Sequence, residues 1–265
     1  MNNYNDSLRE RYNPDGSSLR RLQLRMLDIL IEIDRICRRH QIRYWLSSGT
    51  LLGAVRHRGF IPWDDDLDIE VLREDYQNLL EVLHRELPKH LVVQTYDTDK
   101  NYAYLYAKIR DKNSYVKEKY LINQQFLYQG AFVDIFPVEP SPLFLCRFSR
   151  VLYNRLCLNS CLRKGSVNRS LFKMFRVLLS KIVFPFFRFI AYFYPRNVMH
   201  YSYGINFIDS INRKDIFPLQ EIEFEGYSFF CPNNPDSYLR TLYGSYMQIP
   251  KEKEVHIENN EIEIW

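Results

Sequence analysis

The residues best suited to chemistry are aspartates at alternating positions near the end of segment 44–70. Side chains of an extended strand point alternately to two faces, so Asp66, Asp68 and Glu70 share one side, and Asp64 has the same parity. Carboxylates about 4 Å apart repel by roughly 4 kcal/mol at an effective dielectric of about 20. Such a cluster needs protons, a cation or exposure to water, and carboxylate oxygens suit Mg²⁺ or Mn²⁺. A solvated acidic turn is the alternative interpretation.

A candidate phosphate cradle precedes these acids. Ser48-Gly49-Thr50 follows a short apolar segment and opens a predicted helix. Glycine allows close approach of the backbone, and exposed N–H groups at a helix start bind phosphate. Arg56 and His57 come next, and the forked donors of arginine match phosphate oxygens. An ordinary helix cap followed by a solvated basic face is the alternative.

Asp134 is a candidate third acid. It is the one ionisable residue of the apolar segment 130–136. A lone buried carboxylate is costly unless it is paired or binds a metal, so a capped or salt-bridged aspartate is the alternative. A phosphate cradle, a basic group and acids on two strands together predict a site for phosphoryl transfer.

The elements that position these residues form an α+β pattern around a mixed sheet. Apolar periodicity and turn residues predict helices and strands. The predicted helices span 19–40, 49–55, 74–87 and 235–242, the strands span 42–47, 67–72, 91–95, 102–109 and 131–136, and a hairpin spans 222–230 with its turn at Glu225-Gly226. We expect one domain over residues 1–265.

Residues 141–208 differ in composition from the rest of the chain. They contain no Asp or Glu, and they interleave Arg and Lys with many aromatic side chains. We predict two helices, at 143–163 and 171–194, within a basic helical insertion. Lys181, Pro185 and Arg188 interrupt the apolar run, which argues against a membrane span. Three alternatives remain: a helix on a membrane surface, an insertion that packs on the core with a basic outer face or binds an anionic substrate, and nucleic-acid binding, the last without a recognition motif.

Composition limits the class of protein. The 265 residues are 46% hydrophobic and 26% charged, which is typical of a soluble globular protein. The polar start lacks a secretory signal, so we expect a cytoplasmic protein. Five cysteines without paired spacing make disulfides unexpected. Cys157 and Cys161 lie at helical spacing and are predicted to be buried thiols rather than part of a metal site.

The sequence GTLLGAVRHRGFIPWDDDLDI resembles the signature of the LicD-type phosphotransferase family, relatives of the fukutin-related proteins in the nucleotidyltransferase-like superfamily. The resemblance extends over roughly 40–140 and, more loosely, 215–250, and it covers the basic insertion least well. Ser245 departs from the pattern, because many relatives carry Asp after the Tyr-Gly pair. The implied fold is a nucleotidyltransferase-like mixed sheet with flanking helices.

The resemblance also implies roles for individual residues. Asp66 and Asp68 would hold Mg²⁺ or Mn²⁺ with Asp64 as a helper, and Asp134 would ligate a metal or act as general base. Gly49 and Thr50 would meet the donor phosphates, and Arg56 and His57 would neutralise the transferred group. Candidates of lower rank for phosphate are Lys108 and Arg110, and Trp63 is expected to pack.

The implied reaction transfers a phospho-alcohol group from a CDP-linked alcohol, such as CDP-choline or CDP-ribitol, to a sugar hydroxyl. The acceptor would be a surface polysaccharide, a teichoic acid or a lipid-linked glycan. Separately, the basic and aromatic composition of 141–208 leads us to expect peripheral contact with the inner face of the cell membrane, near a lipid-linked acceptor. The alternatives are a nucleotidyltransferase that releases pyrophosphate and a non-catalytic metal-binding or glycan-binding module.

Overall fold

A mixed β-sheet forms the centre of the molecule. The structure is a computed structural model that describes residues 2–117, 122–159, 166–250 and 262–264. The main strand order is β1-β2-β6-β4-β3, and β7 and β8 extend the sheet beside the later part of β6. These strands are β1 (Tyr44–Leu46), β2 (Asp68–Leu72), β3 (Leu91–Gln94), β4 (Ala107–Asp111), β6 (Phe132–Pro140), β7 (Val198–Tyr201) and β8 (Ile211–Asn212). Only β2 and β6 pair in parallel among the described strand pairs.

The helices that pack on this sheet begin and end where local signals predict. In α2 (Ser18–His40), the side chain of Ser17 accepts a hydrogen bond from the Arg20 N–H, and Gln41 ends the helix at φ 54°. This helix contacts α4 (Arg73–Glu86) and β6, and its apolar stripe is buried in the main core. The short α3 (Ser48–His57) connects β1 to the loop before β2.

A second hydrophobic cluster lies beneath the basic segment 141–208. It includes Tyr102, Tyr153, Phe172 and Phe187, all buried. The segment forms α5 (Leu143–Tyr153), which continues into a π-helical turn (Asn154–Leu158), then α6 (Ser166–Leu178), a second π-helical turn (Leu179–Val183) and α7 (Phe184–Ala191). No helix among residues 2–117, 122–159, 166–250 and 262–264 is long and apolar enough to cross a membrane.

The later part of the chain closes over β1 and α3. A hairpin joins β9 (Gln220–Phe224) to β10 (Tyr227–Cys231), and Glu225 and Gly226 at its turn have φ of 51° and 81°. The short α8 (Arg213–Ile216) precedes it and α9 (Pro235–Tyr243) follows it. The outlying elements are α1 (Asn2–Tyr12), a 3₁₀ turn (Asn123–Gln125), and the pair β5 (Ser114–Val116) and β11 (Ile262–Ile264).

The α+β class with a mixed sheet is confirmed, and most elements lie where the sequence predicts them. The strand predicted at 102–109 is wrong for its first five residues, because strand pairing begins at Ala107 and Tyr102 instead packs in the second hydrophobic cluster. The predicted strand 131–136 continues to Pro140, where it pairs with β7. The end of the predicted helix 143–163 lies outside the described residues. Cys161 lies there too, while Cys157 is buried as predicted.

Candidate functional site

Two acids meet across the parallel strands. Asp68 begins β2 and lies in register with Asp134 of β6. The Asp134 N–H donates to the Leu67 carbonyl at 2.8 Å, which fixes this register. Neighbouring strands are about 4.8 Å apart, so the two side chains leave the sheet side by side. The lone acid of an apolar strand therefore lies beside the acidic segment, as the sequence predicts.

Lys108 neutralises part of this charge. It lies on β4 in register with Asp134. Its Nζ lies 2.7 Å and 3.0 Å from the two carboxylate oxygens of Asp134, and both side chains are nearly inaccessible to water. The ammonium also lies 3.6 Å from the centre of the Phe132 ring. Lys108 is thus the buried ion-pair partner of Asp134.

Asp64 and Asp66 reach the same place from the loop between α3 and β2. The backbone carbonyl of Asp64 accepts a hydrogen bond from Gln23 Nε2 at 2.9 Å, which ties the loop to α2. Burial and the charges of Asp66 and Asp65 raise the pKa of Asp64 well above its ordinary value, and a hydrogen bond with Asp66 adds to this. Asp66 itself precedes β2 rather than lying on it, since that strand begins at Asp68.

The pKa values report how crowded the carboxylates are. Burial, then Asp66 and Asp134, raise the pKa of Asp68 well above its ordinary value. Burial raises the pKa of Asp134 to about 6, although Lys108 and Arg110 lower it. Close carboxylates resist simultaneous ionisation, so the site favours a proton or an added cation.

The start of α3 is fastened directly to the start of β2. The backbone N–H of Ser47 donates to the Asp68 carbonyl at 3.2 Å, and the Asp68 N–H donates to Thr50 Oγ1 at 2.8 Å. Thr50 is buried and positions Asp68 through this bond. A Cβ built on Gly49 would lie 2.9 Å from Asp64 Oδ2, so the absence of a side chain there lets the acid approach the helix start.

Arg56 and His57 connect the acids to the segment after α9. Arg56 Nη1 donates to the Tyr246 carbonyl at 2.8 Å, and its Nε donates to His57 Nε2 at 2.9 Å. Burial lowers the pKa of Arg56, while the charge of Asp64 raises it. Burial and the adjacent Arg56 lower the pKa of His57 to about 4, so His57 is neutral at pH 7.

Arg110 does not lie where a phosphate contact requires it. Its side chain is fully buried, its Nε donates to Gln94 Oε1 at 2.9 Å and its Nη1 donates to the Gly130 carbonyl at 2.7 Å. The core packs over this guanidinium, so its positive charge acts on Asp134 from within the protein. Trp63 packs edge-on against Tyr12 with ring centroids 5.2 Å apart.

Strand alternation groups Glu70 with Asp66 and Asp68, but in the structure its carboxylate is bound inside the core rather than at the acidic site. It accepts hydrogen bonds from Trp45 Nε1 and from the Tyr238 hydroxyl, both at 2.8 Å. Burial raises its pKa to about 7. Glu70 therefore joins β1, β2 and α9 inside the core, below the carboxylates that begin at Asp68.

Sequence reasoning did not single out two groups near the acids. Burial, followed by the charges of Asp68, Asp64 and Asp66, raises the pKa of Tyr243, which ends α9. Burial raises the pKa of Asp209, whose charge acts on the buried Glu70. Tyr243 falls in the loosely resembling segment 215–250, whereas no local pattern marks Asp209.

The carboxylates are gathered without forming a complete metal cage. Among residues 2–117, 122–159, 166–250 and 262–264, no three Asp, Glu, His or Cys side chains are arranged to hold an ion by themselves. The donors that are gathered at Asp64, Asp66 and Asp68 are all carboxylates, the hard oxygen ligands that Mg²⁺ and Mn²⁺ prefer. Mg²⁺ commonly takes one or two carboxylates and completes its shell with water and substrate phosphates, so this set fits it.

Comparison with known proteins identifies the family. Residues 41–147 match the family described as LicD/FKTN/FKRP, nucleotidyltransferase domain. The chain is 30% identical over 258 residues to the lipopolysaccharide cholinephosphotransferase LicD of Haemophilus influenzae, which covers 89% of this chain and 94% of that protein. The chain belongs to the LicD family. It is accordingly an enzyme of the phosphotransferase class.

More distant relatives match over shorter stretches. The human and mouse ribitol 5-phosphate transferases FKRP are 54% identical to this LicD-family chain over 37 residues, which is 14% of this chain and 8% of each relative. A solved structure of terminal uridylyl transferase 4 from Trypanosoma brucei with bound GTP covers 67% of this chain and 54% of its own, at 12% identity and a TM-score of 0.27. That structural likeness is too slight to support an argument.

Proposed function

We propose that this LicD-family enzyme transfers a phospho-alcohol group, similar to phosphocholine or phosphoribitol, from a CDP-linked alcohol to a sugar hydroxyl of a surface glycan or lipid-linked oligosaccharide. The observation that carries the proposal is the register of Asp68 with Asp134, beside Asp64, Asp66 and the start of α3. The LicD relative is named as a cholinephosphotransferase of lipopolysaccharide, which supports the type of group and acceptor.

The carboxylates divide into two tasks in this proposal. Asp66 and Asp68, assisted by Asp64, would hold Mg²⁺ or Mn²⁺, which spreads the negative charge of the donor phosphates when bound. Asp134 would accept the proton of the attacking hydroxyl. Its pKa of about 6 leaves most of it ionised at pH 7 yet close to the working pH, which suits a general base.

The donor phosphates would lie at the start of α3. Backbone N–H groups there and the positive end of the helix dipole attract phosphate, and Gly49 leaves room beside Asp64. Arg56 would offset charge on the transferred group, since its guanidinium already interacts with Asp64. The acceptor oxygen attacks the phosphorus that bears the alcohol, the bond to the bridging oxygen breaks, and CMP leaves.

Work at the inner face of the cell membrane is part of the same proposal. Most large hydrophobic side chains that are exposed in the described residues belong to 141–208, the segment without any Asp or Glu. Exposed aromatic and basic side chains together are typical of a surface that lies in the headgroup region of a bilayer.

Product analysis tests the reaction. The enzyme is incubated with Mg²⁺, a panel of CDP-alcohols and lipopolysaccharide or teichoic acid acceptors, and released nucleotides are separated by chromatography. We expect CMP and a phospho-alcohol on the glycan, loss of both with EDTA, and recovery with added Mg²⁺. Pyrophosphate release from CTP would instead indicate a nucleotidyltransferase. Turnover that EDTA leaves intact would contradict the metal assignment.

A further inference from the structure

A cavity lined by several arginines lies at the opposite end of the two parallel strands. Its volume is about 540 Å³, and Leu72 and Val138 line it. These two residues are in register, as Asp68 and Asp134 are at the other end. Four residues of strand at about 3.3 Å each separate the cavity from the acids by roughly 13 Å. The cavity is therefore distinct from the candidate active site.

Arginines give this cavity a surplus of positive charge. Arg73, Arg188, Arg196 and Arg213 line it together with two glutamates. Of these acids, Glu139 is held by Arg188, with contacts of 2.6 Å and 2.8 Å. The other, Glu74, lies 3.4 Å from an arginine outside the cavity.

Arg73 contributes a partly buried cation to this cavity. It is half-buried, and in the part of the chain that the structure describes no carboxylate lies within ion-pair distance of it. Its guanidinium lies 5.3 Å from the centre of the Tyr76 ring. Burial and the charge of Arg188 lower its pKa, while the charge of Glu139 raises it. A partly desolvated guanidinium without a direct ion pair favours an anion beside it.

The first turn of α4 adds to this potential. Arg73 and Glu74 begin the helix and line the cavity, and the N-cap residue Leu72 offers no side-chain acceptor to the first N–H groups. The positive end of a helix dipole favours a phosphate near such N–H groups. Glu74 and Asp75 in the same turn oppose this attraction, although Arg43 lies 3.4 Å and 3.3 Å from their carboxylates. The arginines of the cavity are therefore its main source of positive charge.

The cavity also opens beside the aromatic outer surface of α7. Tyr192 lines it and is 71% exposed. Phe186 and Phe189 of α7 and Phe193 just after its end are exposed by 58%, 63% and 71%. The opposite side of the helix is buried through Phe187. An anion held in the cavity would thus lie at the edge of an apolar surface, as the phosphate of a membrane lipid does.

We propose that this arginine cavity binds the phosphate of an anionic lipid headgroup while the aromatic side chains of α7 lie in the bilayer interface. The inference rests on the membrane contact within the proposed function and is independent of the transfer chemistry. It assigns Arg73 and Arg213 to recognition of the headgroup beside the start of α4.

Vesicle binding tests the cavity. The full chain is mixed at low salt with phosphatidylcholine vesicles with and without phosphatidylglycerol, and apparent affinities are measured by flotation. The variants are Arg73→Gln, Arg213→Gln and, as a matched control on α4, Arg85→Gln, whose side chain is 65% exposed. Each cation at an anionic surface contributes about 1 kcal/mol, which is about fivefold in affinity. We expect that loss for Arg73→Gln and Arg213→Gln and none for Arg85→Gln.

The possible outcomes distinguish the cavity proposal from membrane contact and from the transferase activity. If all three variants bind phosphatidylglycerol vesicles like the wild type, the cavity proposal is wrong while membrane contact stands. If the wild type does not bind these vesicles, the cavity proposal and membrane contact are both wrong. The transferase activity is tested separately by CMP release from a soluble donor. Titration with inorganic phosphate is the second arm. Binding of free phosphate that Arg73→Gln weakens, with vesicle binding unchanged, would overturn the lipid assignment.

Arg73→Gln is checked for folding by its thermal transition, and Arg213→Gln carries the test if the first variant unfolds. Neither residue belongs to the candidate active site, so we expect CMP release with a soluble acceptor to stay at the wild-type rate in both. A parallel loss of that activity and of vesicle binding would indicate a general structural effect and would contradict a headgroup site.

Discussion

Replacement of Lys108 by methionine removes the charge that compensates Asp134 and keeps a side chain of similar length over Phe132. The carboxylate of Asp134 would remain buried, beside other acids and without its partner at 2.7 Å. Unit charges about 3 Å apart interact by roughly 5 kcal/mol at an effective dielectric of about 20, and breaking a buried pair typically costs 3–5 kcal/mol. Part of that cost is avoided because Asp134 can bind a proton.

The sign of the pH dependence follows from linkage. Burial already raises the pKa of Asp134 to about 6 in the folded state, above its ordinary value, so folding favours the protonated acid. Lys108→Met raises the folded pKa further. The variant therefore loses about 1.4 kcal/mol of stability, relative to wild type, per pH unit above 6 until the new pKa is reached. We expect a difference of about 3 kcal/mol at pH 8 and well under that at pH 5.

Urea unfolding in metal-free buffer at pH 5, 6.5 and 8 measures these differences. The matched control is the double variant Lys108→Met/Asp134→Asn, in which the dependence on pH should disappear and much of the stability at pH 8 should return. A stability difference for Lys108→Met that is the same at pH 5 and pH 8 would refute the view that Asp134 is buried and charged through its lysine.

Three further variants follow from named contacts. Gly49→Ala would place a methyl group 2.9 Å from Asp64 Oδ2. We therefore expect the rate of CMP release to fall at least about tenfold, equivalent to ~1.4 kcal/mol, with an almost unchanged thermal transition. Unchanged activity would contradict the tight fit. Burial raises the pKa of Asp111, but the hydrogen bond from Arg25 helps to hold the net pKa below its ordinary value. Arg25→Gln should therefore lose roughly 1–2 kcal/mol at pH 7 and converge with wild type as pH falls through the folded pKa of Asp111, as urea unfolding would show. Burial depresses the pKa of His57 to about 4, so wild-type stability should decline as pH drops from about 6.5 toward 4, and His57→Gln should reduce that decline in thermal melts.

Local sequence patterns predict those parts of the site that depend on strand alternation and helix starts. Asp68 and Asp134 could be placed because each stands out in its own strand, as a repeated acid or as the one charge among apolar residues. The pairing of the two strands is not local. Their register, with Asp68 opposite Asp134, follows from packing between β2 and β6, and no single segment encodes it.

The basic side chains on β4 show why residue type alone misleads. Lys108 and Arg110 are two positions apart, so they lie on the same face of the strand and look equivalent in the sequence. In the structure, Lys108 lies opposite Asp134, whereas Arg110 lies opposite Phe132 and bonds to Gln94 and Gly130 inside the core. The neighbouring strands decide which residue each cation faces and how deeply its side chain is buried. The local sequence pattern does not reveal this pairing.

The closing segment contributes through long-range contacts. Tyr243 approaches the acids because α9 packs on α3, a contact between residues almost 200 positions apart. Arg56 reaches the Tyr246 carbonyl in the same way. Helical periodicity predicts α9 itself but does not reveal that it packs against α3.

The central claim is tested most directly by CMP release from CDP-alcohol donors in the presence of Mg²⁺, comparing wild type with Asp68→Asn and Asp134→Asn. The matched control is Asp97→Asn, an exposed acid whose side chain is 95% accessible. We predict that either site variant loses at least about a thousandfold in rate, equivalent to ~4 kcal/mol of transition-state stabilisation, while folding is retained and Asp97→Asn behaves as wild type. Near-wild-type CMP release by folded Asp68→Asn or Asp134→Asn would contradict the account.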